Sequence, residues 1–383
     1  MLKPSRKDSG RLRVLGIAGA RPNFMKIEPI MRVMEQSPEH FSTVLVHTGQ
    51  HYDDRMSEVF FKDLGLRPPD LNLGVGSGSH AEQTGAVMIR LEKVLMEQKP
   101  DILVVVGDVN STLAATITAA KLNIPVAHVE AGLRSFDWTM PEEINRLATD
   151  VLSSYLFTPS EDASVNLRNE GIPESRIHLV GNVMIDTLRR CEEIAGHSSI
   201  FDELGVERGN YVLVTLHRPS NVDDPHVLSG ILSALNAVQE RLPVVFPIHP
   251  RTEFKMREFG SQCVLADTGN MKLVPPLGYL DFLALEGQAK MVMTDSGGIQ
   301  EETTVLGIPC LTLRENTERP VTVTHGTNQI VGCSADRILA AAHAILDGER
   351  RNGQVPDLWD GHAAERIVSV LANGCAPSLP RNS

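Results

Sequence analysis

The stretch MTDSGGIQEETTVLGIPCL, Met293 to Leu311, decides the fold. It follows the apolar run AKMVM, turns through Asp295-Ser296-Gly297-Gly298, and continues through Ile299 to Leu306 before Gly307 closes it. This order predicts strand, tight turn and helix, with PCL opening the next strand. The helix begins with what an anion needs, namely glycines, a serine hydroxyl and unpaired backbone N–H groups. Yet it carries two glutamates, Glu301 and Glu302, in its first turns.

Outward from this stretch the same alternation fills the chain. RVLGIAG, TVLVHTG, ILVVVGD, PVAHVEAG, YLFTPS and IHLVG read as buried parallel strands between helical segments. After a charged segment around Arg189 to Arg208 the pattern restarts with YVLVTLH, PVVFPIH, MKLVPP, AKMVMTDSG and PCLTLR. Two doubly wound α/β units are predicted. The first spans residues 11–182 and the second residues 183–362. An amphipathic segment, HAAERIVSVLA, predicts a final helix over residues 363–374 that packs back on the first unit.

The bulk numbers agree with two domains: 383 residues, 42% of them hydrophobic. A formal net charge of −12, with no Lys/Arg block, argues against nucleic acid as a partner. The five cysteines form no CxxC pair, and no apolar run approaches the roughly 20 residues that span a bilayer. A cytoplasmic protein without membrane contact is expected. The lead-in MLKPSRKDSG lacks the apolar centre of a signal peptide and reads, like the tail GCAPSLPRNS, as unstructured.

Ligands in such folds sit beyond the carboxyl ends of the strands, so those positions matter most. The first strand delivers Arg21 and Lys26, two cations flanking Pro22 at a helix start. The second ends in His47-Thr48-Gly49-Gln50-His51, a polar turn suited to hydrogen bonding. Gly107-Asp108 follows ILVVV and leaves two readings open, a helix N-cap or a carboxylate presented to a ligand. His128 and Glu130 alternate along the next strand, with Arg134 the candidate ion partner of Glu130. Glu142 follows Pro141 at a helix start. Asp108, Glu130 and Glu142 are thus expected together, and such crowding raises at least one carboxyl pKa toward acid or base duty.

In the second half, His217-Arg218 and His249-Pro250-Arg251 end successive strands and read as anion-binding donors. The H-x-x-x-H from His47 to His51 crosses a glycine turn, so it does not place two rings on one helix face, and no metal is predicted. A carboxylate near a helix-bound anion is useful when it accepts from another part of the same ligand. Glu302 beside a diphosphate at Ser296, Gly297 and Gly298 therefore points to a nucleotide whose ribose diol it holds. The first turn lacks G-x-G-x-x-G and no Walker lysine motif is present, which disfavours NAD and ATP chemistry; no cofactor is expected.

The segments GARPNFMK, HTGQHYD, GDVNST, HVEAGLR, MPEEINR, TLHRPSN, HPRT, DSGGIQEE and ENTERPVTV occur in this order from about Arg21 to Thr327. In this the chain closely resembles the non-hydrolysing UDP-N-acetylglucosamine 2-epimerases. The resemblance implies two Rossmann-like domains facing a cleft, the GT-B-like architecture, a homodimer and a UDP-sugar substrate. It implies that Arg21, His217, Ser296 and Glu302 contact UDP, with Lys26 and Arg319 assisting and Phe282 near the uracil, beside the UDP-binding positions Arg218, His249, Gly297 and Gly298 read above from the residues themselves. Asp108, Glu130 and Glu142 are implied as the catalytic carboxylates, with His217 serving both binding and catalysis. The implied reaction is reversible epimerisation of UDP-N-acetylglucosamine to UDP-N-acetylmannosamine, by elimination of UDP through 2-acetamidoglucal and re-addition. The chain departs from the family in GARPN for GTRPE, in QHYD for QHRE and in a shorter LRSFDWTMPEE segment. The QHYD turn, with Gln50 and His51, lies where bacterial members build an allosteric substrate site. Branches acting on UDP-diacetamido-glucuronate or UDP-acetamido-6-deoxyhexoses share the short loop. Those substrates, and a hydrolysing epimerase that releases N-acetylmannosamine, are the alternatives.

Overall fold

Apolar runs with no polar alternation pair best when both faces are covered, and every strand pairing in the structure is parallel. The structure, a computed structural model, describes residues 10–49, 65, 67–260, 270–349 and 351–374. The lead-in, the tail, Gln50, His51 and the side chain of Arg21 lie outside the described residues. The chain divides into two compact units, one running to Thr187 and resuming at Asp357, the other spanning Leu188–Pro356.

In the first unit the strands are β1 (Leu12–Ala18), β2 (Phe41–His47), β3 (Leu71–Asn72), β4 (Ile102–Val106), β5 (Val126–Val129), β6 (Tyr155–Thr158) and β7 (Ile177–Leu179), in the order β3-β2-β1-β4-β5-β6-β7. The winding reverses between β1 and β4. Loops after these two strands therefore part and leave a crevice at their carboxyl ends. The helix Arg21–Glu35 covers one face with Phe24, Met25, Ile27, Ile30, Met31 and Met34, all buried. Against it packs the terminal helix Ala363–Ala372, which buries Ala364, Ile367, Val368 and Leu371.

The second unit repeats the plan with β8 (Val212–Thr215), β9 (Val244–Pro247), β10 (Met271–Val274), β11 (Met291–Thr294), β12 (Cys310–Thr312) and β13 (Asn328–Ile330), ordered β10-β9-β8-β11-β12-β13. Its reversal falls between β8 and β11. Val212, Val214, Leu232, Leu235, Phe246, Met291, Met293 and Leu311 form its core.

The chain changes units five residues later than the expected boundary of 182, inside the helix Val183–Ala195. Val183, Met184 and Ile185 are buried, Thr187 donates to the carbonyl of Met25 at 2.6 Å, and Asp186 accepts from Ala363 and Ala364. These contacts tie the start of that helix to the first unit. The return comes earlier than residue 363, because Trp359 is buried there and donates to the Pro159 carbonyl at 2.8 Å.

Candidate active site

In the first unit the turns after β1, β4 and β5 carry one connected set of polar groups. Asn23 fixes the β1 turn: its Oδ1 accepts from the N–H of Ala20 at 2.8 Å and its Nδ2 donates to the carbonyl of Val106, the last residue of β4, at 3.0 Å. Next comes Gly107 at φ 66°, where a Cβ would sit 3.4 Å from Lys26 Nζ and 3.5 Å from Glu130 Oε2. The left-handed backbone there favours glycine, and its missing side chain leaves the charged pair room. Lys26 forms a buried ion pair with Glu130 through Oε2, while Glu130 Oε1 is buried with no hydrogen-bond partner among the described residues.

Asp108 is gripped by Arg146, whose Nε and Nη2 both donate to its Oδ2, at 3.0 and 2.6 Å. Asn145 donates to the Asp108 carbonyl at 2.8 Å. Glu142, three and four residues before Asn145 and Arg146 on the helix Pro141–Leu152, shares their face. It is partly exposed and makes no hydrogen bond or ion pair among the described residues. Its neighbour Glu143 is structural: buried, it accepts from the N–H groups of Ser135 and Phe136 and pairs with Arg146 at 2.6 Å. Behind the turns, fully buried His128 faces Asp150 at 2.6 Å through Nδ1 and the Gly107 carbonyl at 2.9 Å through Nε2. Burial works to raise the Asp150 carboxyl, but His128 and Arg134 outweigh it and hold it below its ordinary range.

Three expectations are corrected here. Glu130 does not pair with Arg134, which binds Asp150 and Glu170, both at 2.7 Å; its partner is Lys26, distant in sequence. The residue lies just past β5 at φ 68°, so strand alternation with His128 does not set its direction. Asp108 does not occupy the N-cap of Asn110–Lys121, which is Val109, a residue without a side-chain capping bond. With Lys26 and Arg146 present, two of the three carboxylates are each matched by a cation rather than facing bare like charge.

In the second unit, Asp295 organises the turn after β11. It accepts from the N–H groups of His217 and Arg218 and from Asn221 Nδ2, and lies 2.8 Å from His217 Nδ1. Burial pushes its pKa up, but the bonds and charge of His217 and the backbone bonds outweigh burial and leave it lowered. His217 is thereby oriented from behind with Nε2 turned away. His249 stands 5.8 Å off, ring to ring, and caps the helix Pro250–Glu258 by accepting from the Arg251 N–H at 3.2 Å. Its Arg partner is not an open anion donor: Arg251 is engaged with Asp223.

The helix Gly297–Leu306 starts from Ser296, whose hydroxyl makes no capping bond. A Cβ at Gly297 would fall 2.5 Å from Arg319 Nη1, whereas one at Gly298 would meet nothing within 4 Å. Arg319 thus packs against one side of an otherwise open helix start. The two glutamates of this helix divide the work. Glu301 pairs with Arg319 at 2.7 Å, while Glu302 turns to the helix Tyr279–Gly287 and accepts from Tyr279 Oη at 2.8 Å. Phe282, half-buried, lies one turn beyond Tyr279 on the same face. Arg218 pairs with Glu318 at 3.3 Å, and Glu318 also pairs with Arg319 at 3.0 Å. Sequence reasoning missed Asn23, Arg146, Tyr279 and Asp295 as organisers. Arg146 was visible, four residues after Glu142 and so on its face; Tyr279 and Asp295, and the bond from Asn23 to Val106, join partners only through the fold.

The pattern of a family described as UDP-N-acetylglucosamine 2-epimerase matches residues 33–372. The UDP-N-acetylglucosamine 2-epimerase of Methanocaldococcus jannaschii is 44% identical over 364 residues, 94% of this chain and 98% of the relative. The UDP-2,3-diacetamido-2,3-dideoxy-D-glucuronate 2-epimerase of Pseudomonas aeruginosa is 40% identical over 375 residues, 94% of this chain and 99% of the relative. A crystal structure of the M. jannaschii UDP-GlcNAc 2-epimerase in complex with UDP-GlcNAc and UDP aligns with a TM-score of 0.88 at 43% identity, covering 95% of this chain and 100% of that one. With its two doubly wound sheets and their polar strand ends, the chain belongs to the UDP-N-acetylglucosamine 2-epimerase family.

Proposed function

We propose that this protein inverts C2 of UDP-N-acetylglucosamine without hydrolysing it, giving UDP-N-acetylmannosamine. The observation that carries the reading is the carboxylate set at the β1/β4 reversal: Asp108 held by Arg146, Glu130 with one buried oxygen and Glu142 on the Arg146 face, the last two unpartnered there among the described residues. The C2 hydrogen of an amino sugar has no adjacent carbonyl, so a carboxylate cannot remove it from the resting substrate. As the C1–O bond breaks, its electron pair leaves with UDP and C1 gains positive character. A carboxylate then takes the C2 proton, the C–H pair forms the C1=C2 bond, and 2-acetamidoglucal results. Re-addition of UDP at C1, with a proton delivered to the other face of C2, completes inversion. Carboxylates on more than one side of the sugar suit that pair of transfers.

The second unit supplies the groups for UDP in this reading. Ser296, Gly298 and the helix start receive the diphosphate, with His217 stabilising it as it departs. Glu302 accepts from the ribose diol, and Phe282 lies toward the uracil. Proton NMR after incubation with UDP-N-acetylglucosamine in D2O tests the route, because the glycal forces exchange at C2. Deuterium at C2 of both epimers is expected; epimerisation with the C2 proton retained would sink the elimination. Release of free N-acetylmannosamine would assign a hydrolysing enzyme instead. The 40% identity to the diacetamido-glucuronate epimerase favours a second reading in which only the sugar changes. Turnover of that sugar but not of UDP-N-acetylglucosamine would select it.

A further inference from the structure

Behind Glu302 stands a second carboxyl that the reaction scheme does not use. Glu286 lies on the helix Tyr279–Gly287, seven residues after Tyr279 and four after Phe282, on the face that meets Glu302. It is fully buried, as is Glu302 within 2%. Neither oxygen of Glu286 receives an N–H or O–H from a described group, yet its carboxyl is within hydrogen-bonding reach of Glu302. Two ionised carboxylates do not sit in contact in a buried place; one proton must lie between them. Glu302 Oε1 accepts from Tyr279 Oη at 2.8 Å, a bond that stabilises negative charge on Glu302 and so favours leaving the shared proton on Glu286.

We propose that Glu286 is a positioning residue that stays protonated, donates its O–H to Glu302, and so keeps Glu302 the anion that accepts from the vicinal diol of a nucleotide. The inference rests on the assignment of Glu302 to the ribose. The titratable groups that face the pair come from every element around it. They are Tyr279 on the same helix, Glu301 beside Glu302, Cys310 at the start of β12, and Cys191 toward Tyr279 from the helix Val183–Ala195. Glu301 is neutralised by Arg319 at 2.7 Å. The direction of titration fits this arrangement. Burial, and then the neighbouring Glu302, push Glu286 well above the ordinary carboxyl range. Burial also raises Glu302, to about 7, with Tyr279 and Glu286 as donors pulling it down.

The sign of one substitution separates the possibilities. Glu286→Met removes a donor, so Glu302 ionises at higher pH and UDP should bind about tenfold more weakly at pH 7, approaching wild type by pH 9. Glu286→Gln keeps an N–H donor and should stay within about threefold of wild type throughout. Calorimetric titration of the full-length enzyme with UDP from pH 6 to 9 reads both, and the variant-to-wild-type ratio cancels the titration of UDP itself. Tighter binding by Glu286→Met at pH 7 would mean that Glu286 is charged and repels Glu302, overturning the proposal. Equal loss in both variants at every pH, or no loss in either, would overturn it too. If Glu286→Met does not fold, Glu286→Gln decides: UDP affinity within about threefold of wild type from pH 6 to 9 is expected, and tighter binding, the sign that a charged Glu286 has been removed, is the overturning result. Unchanged UDP affinity in Glu302→Ala sinks the ribose assignment itself, a distinct failure.

Discussion

Adjacent glutamates occur twice at these strand-end helices, and in each pair one is structural and one faces the candidate site. Glu143 holds the Ser135 loop and Arg146, leaving Glu142 open; Glu301 neutralises Arg319, leaving Glu302 to Tyr279 and Glu286. The Lys26–Glu130 pair differs, because both side chains are nearly inaccessible, at 11% and 3% exposure. Removing one member of a buried pair strands the other's charge, so Lys26→Met should cost about 3–5 kcal/mol of stability, read by denaturant unfolding. Glu130→Gln strands the Lys26 charge and should lose stability in the same way, yet keep UDP binding while lowering turnover about 100-fold or more, as for a proton-transfer group. The double variant should recover most of the stability and none of the turnover; recovered turnover would make Glu130 only the counter-ion of Lys26. The residue types were legible because each stands directly after an apolar run. Their partners were not: Lys26 and Glu130 meet across a hundred residues through the pairing of β1, β4 and β5. Glu286 escaped notice because it lies in GYLDFLALEG, where one acid at the end of an apolar helix reads as a surface charge.

At the scale of elements, apolar runs announced the long strands, and the two that went unforeseen show what the pattern needs. β3 is two residues long and β13 is Asn-Gln-Ile, with Asn328 buried by donating to Gln300 and Thr322 rather than by apolarity. The terminal helix shows a further dependence hidden from periodicity. Its own N-cap, His362, makes no side-chain capping bond, and the first N–H groups, of Ala363 and Ala364, are satisfied by Asp186 from a distant helix. Losing such a cap typically costs about 0.5–2 kcal/mol, so Asp186→Ala should destabilise by that amount, while Asp186→Asn, which keeps one of the two acceptor oxygens, should lose less. The pH dependence has a definite sign. Burial, only partly offset by the two N–H donors, raises Asp186 from 3.8 to about 6. The folded chain therefore holds more protons than the unfolded chain between those values, and stability falls as pH rises through that window. Subtracting the Asp186→Asn profile from wild type in chemical denaturation should expose this slope; a flat difference would show that Asp186 titrates normally.

The whole molecule is two sheets with the same order of winding, and in each the polar cluster stands at the point where the winding reverses. That recurrence made the fold class readable from strand-helix alternation alone, while the crossing points depended on contacts of Asp186, Thr187 and Trp359 that no local pattern contains. The first unit is built from two separate lengths of chain and the second from one. This asymmetry has an energetic consequence. Trp359, 2% exposed, anchors the returning segment by its ring and by its bond to Pro159. Trp359→Ala should remove about 3–5 kcal/mol from the first unit, the usual loss for a large buried aromatic. The core of the second unit contains no residue of that segment. Calorimetric unfolding should then resolve two transitions, only one of them lowered by Trp359→Ala. UDP at about 100 times its dissociation constant should stabilise the other by about 2.7 kcal/mol, because a ligand held by the second unit adds its binding energy to that unit's folding. If the substitution and UDP moved one and the same transition, the units would unfold as a single cooperative body, and the assignment of UDP to the second unit would need independent support from Glu302→Ala.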